Sequence, residues 1–190
     1  MSAESFVFPS IHEFPPFYTR QPTEATWQSQ QKQWRDLILS YCQHHRIYRL
    51  HLQQVTAPGS GSPLFENTRI KRRLSFETLQ EIIDEMTRQG AAEWEGGSKG
   101  PKTEALIYWH KPEEWANMIL EWVNSVGMNN NIMTVHEIAH GELAEGQPFF
   151  GIDKTLLIKA LNILSKRGVA QLFKGTTNDE SMGVKFFASI

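Results

Sequence analysis

Apolar positions along this chain recur in blocks that describe one object twice. Laid over residues 157–172 at an offset of 78, residues 79–94 bring Leu79, Ile83 and Met86 onto Leu157, Leu161 and Leu164, with Gly90 on Gly168. The same offset puts Ser75 over Asp153, and Leu106-Ile107-Tyr108-Trp109 over Val184-Lys185-Phe186-Phe187. Upstream, Trp34-x-x-Leu37-Ile38-Leu39-x-Tyr41 matches Trp115-x-x-Met118-Ile119-Leu120-x-Trp122 at an offset of 81. An offset held across a helical stripe, a glycine stop and an apolar strand is the mark of a repeated domain, here of about 80 residues.

The pattern predicts the elements of each copy. In the second, Pro112-Glu113-Glu114 suits a first helical turn, where amides are unpaired and the dipole is positive. Trp115, Met118, Ile119, Trp122 and Val123 then form one apolar face at helical spacing. A strand over 132–135, a brief helix near 137–142 and a linker over 146–151 follow. Asp153 caps a helix over 154–167, and Gly168 ends it. Strands over 169–173 and 184–187 flank a polar loop, 174–182. The first copy reads as helix 24–44, strand 47–52, a short helix near 63–70, helix 76–89, and strands 91–94 and 105–109 around a glycine-rich wing at 96–101. This order is a helix-turn-helix with a small antiparallel sheet attached. The predicted fold class is therefore α+β, a tandem winged helix: residues 1–23 an extended proline and aromatic arm, 24–110 the first winged helix, 111–190 the second.

Composition narrows the function. A net charge of −2 offers no general attraction to nucleic acid or anionic lipid. The single cysteine, Cys42, rules out an internal disulfide and fits a reducing compartment. No apolar run is long enough to span a bilayer, and the N-terminus lacks a basic-then-hydrophobic leader, so a cytoplasmic protein is expected.

The fold suggests a DNA-binding regulator, since the third helix of many winged helices enters the major groove. The residues oppose it in the first copy, where helix 76–89 sets Glu77, Glu81, Asp84 and Glu85 against Arg88 alone. In the second copy Lys154, Lys159, Lys166 and Arg167 outnumber Asp153, but Lys166 and Arg167 answer the helix dipole. The run Arg69-Ile70-Lys71-Arg72-Arg73 reads first as a solvated turn, then as a contact for an acidic partner. His136-Glu137-Ile138-Ala139-His140 spells the zinc-protease signature H-E-x-x-H. A third ligand is missing, because no histidine follows His140, and the segment falls on a short winged-helix element without a cleft. These are read as polar surface residues: no metal, no cofactor, no catalytic residue, not an enzyme.

The arm carries Phe6, Phe8, Phe14, Phe17 and Tyr18 without periodicity, whereas a solvating tail is poor in aromatics. Phe14-Pro15-Pro16-Phe17-Tyr18 favours an extended polyproline conformation. Such a segment either packs on its own first domain or docks into another protein's hydrophobic groove; docking is the favoured reading.

Four stretches carry a resemblance: Phe14-Pro-Pro-Phe-Tyr-Thr-Arg-Gln-Pro, Ser62-Pro-Leu-Phe-Glu-Asn, Trp109-His-Lys-Pro-Glu-Glu-Trp115 and Gly183-Val-Lys-Phe-Phe187. In them the chain resembles the vacuolar protein sorting-associated protein 25 family, the small subunit of the endosomal sorting complex ESCRT-II. It departs from that family in its longer wing near 96–102 and in carrying His136 and His140. The resemblance implies a non-enzymatic adaptor, two copies of which join one copy each of two larger subunits. It implies that Phe14, Pro15, Pro16, Phe17 and Tyr18 insert into grooves on those subunits. It further implies that the second winged helix, near Met133, Thr134 and Glu137, binds the N-terminal helix of an ESCRT-III subunit. The assembly would sort ubiquitinated cargo into multivesicular bodies, meeting the endosomal membrane only through other subunits.

Overall fold

A computed structural model describes residues 5–174 and 182–187. The chain divides into two compact units, Met1–Trp109 and His110–Ile190. In the first, α1 (Glu24–His45) is followed by β1 (Arg49–His51), α2 (Leu52–Thr56), a hairpin of β2 (Glu66–Asn67) and β3 (Arg72–Arg73), then α3 (Phe76–Arg88), β4 (Ala92–Trp94) and β5 (Glu104–Ile107). In the second, α4 (Pro112–Ser125) precedes β6 (Ile132–Thr134), α5 (Val135–His140), α6 (Lys154–Lys166), β7 (Ala170–Phe173) and β8 (Gly183–Phe186). Each unit holds an antiparallel three-stranded sheet, ordered β1-β5-β4 and β6-β8-β7. Both are winged helices with the same strand order.

The local chemistry repeats with the topology. The Ser75 hydroxyl accepts from the Thr78 N–H at 3.1 Å to open α3, and the Asp153 carboxylate accepts from the Leu156 N–H at 3.2 Å to open α6. Leu79, Ile82, Ile83 and Met86 are fully buried, as are Leu157, Ala160, Leu161 and Leu164. Gly90 and Gly168 then take φ of +71° and +76°, where a side chain would be strained. Past each glycine, the Ala91 N–H reaches the Met86 carbonyl at 2.8 Å and the Val169 N–H reaches the Leu164 carbonyl at 3.1 Å. Trp34 on α1 and Trp115 on α4 occupy equivalent, fully buried positions.

Two expectations change. The short helix placed near 63–70 is α2, directly after β1, as α5 directly follows β6. Residues 63–70 instead form a turn and the start of the β2–β3 hairpin. The last strand is also displaced by one residue: β4 sets Ala92 opposite Ile107, whereas β7 sets Ala170 opposite Phe186. The equivalent of buried Ile107 is therefore buried Phe186, at an offset of 79. A register shift of one would turn core residues outward, so the wing absorbs the extra position instead. Residues 175–181 of the expected second wing lie outside the described residues.

Candidate partner-docking site

The arm does not run as a continuous extended segment. Residues Ser10–Glu13 and Pro15–Tyr18 form two 3-10 turns, with Phe14 the link between them. Pro15 opens the second turn at a position that needs no amide donor. Phe17 and Tyr18 are 2% and 3% exposed and belong to the core of the first unit. The Phe17 ring stacks on Trp34 at 4.1 Å between centroids, 3° from parallel, and Tyr18 meets the same indole edge-on. The Phe17 carbonyl accepts from the Trp34 Nε1–H at 2.9 Å and from the Gln30 Nε2–H at 2.7 Å. Of the five motif residues, Phe17 and Tyr18 thus face inward and Pro15 is half-buried. Phe14 and Pro16 are exposed, Phe14 at 53%.

Phe14 and Pro16 border a groove of about 630 Å³ on α1, with Ile11, Ala25, Thr26 and Ser29 along its walls. Upstream, His12 is 4% exposed and stacks on Phe8 at 4.1 Å. Its Nε2 lies 3.2 Å from the Leu64 carbonyl, and its Nδ1 lies 3.4 Å from the Asn67 amide nitrogen. The His12 carbonyl accepts from both the Tyr18 hydroxyl, at 2.9 Å, and the Asn67 amide, at 3.0 Å. Burial depresses the imidazole pKa, against smaller opposing effects of the Leu64 carbonyl and Glu13. Beyond a histidine inside an aromatic run, nothing in the amino-acid order signals this network.

The second region is differently built. Met133 is buried, so it presents no surface. Thr134 and Glu137 form a capping box: the Glu137 N–H donates to Thr134 Oγ1 at 3.0 Å, and Glu137 Oε2 accepts from the Thr134 N–H at 2.6 Å. These hydrogen bonds to Thr134, backbone first, hold the Glu137 carboxyl below its ordinary pKa. The glutamate of the H-E-x-x-H string therefore caps a helix, with exposed His136 and His140 beside it. Among the described residues, no three His, Cys, Asp or Glu side chains are grouped to hold a metal ion.

Two exposed residues here escape a search by motif. Ile132 is 64% exposed, and Phe173 stands partly open on the same sheet. Both flank Gly183, where a Cβ would lie 3.2 Å from Ile132 Cγ2 and 3.9 Å from Phe173 Cβ. Strand alternation is the signal that finds them, since an inward Met133 turns Ile132 outward.

Several of the remaining candidates are held in local contacts. On α3, Glu81 pairs with Arg20 at 2.7 Å, Asp84 with Lys102 at 2.7 Å, and Glu85 with Arg88. In the basic run, Arg69 pairs with Glu13 at 2.8 Å, and Glu66 sits across the hairpin from Arg73. Cys42 is buried and its thiol is pushed up to about 12 by desolvation, which leaves it unreactive. No helix among the described residues is long and apolar enough to cross a membrane.

Comparison with known proteins gives a consistent answer. A family described as ESCRT-II complex subunit matches residues 11–153. Vacuolar protein-sorting-associated protein 25 of Dictyostelium discoideum is 39% identical over 198 residues, covering 99% of this chain and 100% of that protein. The Homo sapiens protein of that name is 36% identical over 185 residues, covering 97% and 99%. The crystal structure of subunit VPS25 of the endosomal trafficking complex ESCRT-II superposes with a TM-score of 0.81 at 29% identity, covering 97% of this chain and 99% of that one. A chain in the crystal structure of the endosomal complex ESCRT-II (VPS22/VPS25/VPS36) matches with a TM-score of 0.80 at 29% identity, over 98% and 100%. Two winged helices of one strand order, matched end to end by these relatives, make the chain a member of the ESCRT-II complex subunit family, a non-catalytic component of endosomal protein sorting.

Proposed function

We propose that this chain is the adaptor of an ESCRT-II assembly, joined to two larger subunits through its N-terminal arm and engaging an ESCRT-III subunit through its second winged helix. The observation that carries the first part is Phe14. It stands half in solvent beside an apolar groove, on an arm whose other motif aromatics are locked in the core. An exposed aromatic on a rigid mount forfeits little entropy on docking, and aromatic anchors dominate interface energies. The relative solved within an ESCRT-II complex, matching this chain end to end, supports the same reading.

Two copies of the chain per complex would present two second winged helices, so a filament-forming partner would be held with avidity. The apolar patch of Ile132 and Phe173 is the surface offered to the N-terminal helix of that partner. Recruitment to the endosomal membrane then follows from the complex.

The test is co-purification of the Phe14→Asp variant with the two larger subunits. Placing a charge at the centre of an apolar contact should remove the chain from the complex while its own melting temperature is kept. Full co-purification of that variant would move the interface off the arm.

A further inference from the structure

We infer that His12 and Asn67 are positioning residues for partner docking: they form a buried clip that holds Phe14 in its binding pose before any partner arrives. The inference rests on the arm-docking reading and adds what prepares the arm.

The geometry brackets Phe14 on both sides. Its N–H bonds the Ile11 carbonyl at 3.0 Å, and its own carbonyl accepts from the Phe17 N–H at 3.0 Å, so it closes one 3-10 turn and opens the next. The downstream turn is fixed by Phe17 and Tyr18 in the core. The upstream turn has one buried residue, His12, and its fastening comes from a distant part of the chain. Asn67, on the β2–β3 hairpin, bonds both the ring and the carbonyl of His12. The Tyr18 hydroxyl donates to that same carbonyl. One carbonyl thus ties the two turns and the hairpin together.

Among the described residues of the second unit the hairpin has no counterpart; a 3-10 turn at Glu142–Ala144 lies between α5 and α6. The unit that carries the arm is the one that carries the element holding it.

The ring contacts require neutral imidazole, with Nε2–H donating to Leu64 and Nδ1 accepting from Asn67. A second proton on Nδ1 would oppose the Asn67 amide. The titratable groups around His12 are Glu13 on its own turn, itself paired with Arg69 of the hairpin, and Tyr18 on the next turn, while Phe8, stacked on the ring, also meets Tyr41 of α1. Because burial lowers the His12 pKa, the clip is fully present above the ordinary value of 6.5 and is lost as pH falls through the lowered one.

The experiment is a titration of the full chain against the immobilised pair of larger subunits, at pH 7.5 and at descending pH values below the ordinary 6.5 for as long as the chain stays folded. The chains compared are wild type, His12→Gln, Asn67→Ala, Tyr18→Phe and Phe14→Asp. Asn67→Ala and Tyr18→Phe should weaken binding about tenfold at pH 7.5, the weight of one or two internal hydrogen bonds. Amide exchange near residues 10–16 should speed up while α3 and β5 are unchanged. Wild type should lose affinity on acidification, and His12→Gln, which keeps a neutral donor toward Leu64, should lose less. Loss of binding only in Phe14→Asp, with the clip variants equal to wild type at every pH, would overturn the clip and leave arm docking intact. Normal binding by Phe14→Asp would overturn both.

Discussion

Phe17 is a core residue of the first unit, whereas Phe14, the proposed anchor of docking, stands half in solvent. The Phe17 ring lies against Trp34 while its backbone carbonyl receives two side-chain donors, so truncation to alanine keeps those hydrogen bonds and removes the buried ring packing. Phe17→Ala should destabilise the first unit by about 3–5 kcal/mol, a large share of the roughly 5–15 kcal/mol that holds a domain together. Chemical denaturation with a probe confined to the first unit checks this; a change below about 1 kcal/mol would place Phe17 outside the core. For the same reason, deleting residues 1–23 removes part of a core and cannot isolate an interface. Phe14 can be changed alone. The aromatic and proline run singles out the five arm residues as a group, but composition carries no information on which way each faces. That division is decided by Gln30 and Trp34, 13 and 17 residues from Phe17, and by Asn67, 55 residues from His12.

Long elements are legible in the sequence because their signals are redundant. Helices α3 and α6 announce themselves through a cap, an apolar stripe and a glycine stop. Helix α2 has five residues, little more than one turn, and so offers no periodicity to find. Its true signal is its place directly after the strand, repeated by α5. The capping box on α5 carries a matching expectation: Thr134→Ala should cost about 1 kcal/mol of local stability and fray the helix N-terminus, read as faster amide exchange at residues 135–138. Unchanged exchange would mean the cap is dispensable. Since the Glu137 pKa is lowered by Thr134, its contribution persists above the ordinary carboxylate value and fades as pH falls through the lowered one. Thr134 is therefore a poor probe of a binding surface, because changing it disturbs the helix. Ile132 is the cleaner choice, being exposed and next to Gly183. Ile132→Asp should weaken binding of an ESCRT-III N-terminal helix at least tenfold with the melting temperature held, as expected when a charge takes the place of an apolar anchor. Equal affinity would remove the patch from that interface.

For the whole molecule, the duplication supplies two similar folds, and different accessories distinguish them. The first unit gains the arm and the hairpin that holds it. The second exposes apolar sheet residues where the equivalent positions of the first carry Arg49 and Glu95 in an ion pair at 2.9 Å. A near-neutral chain built this way suits an adaptor that works through shape and apolar contact more than through charge. The most direct test is the light-scattering mass of the complex formed when this chain is co-expressed with the two larger ESCRT-II subunits, as wild type and as Phe14→Asp. The account expects two copies of this chain with one of each larger subunit for wild type, and release of both copies for the variant. A wild-type complex without this chain, or a variant complex of unchanged mass, would contradict it.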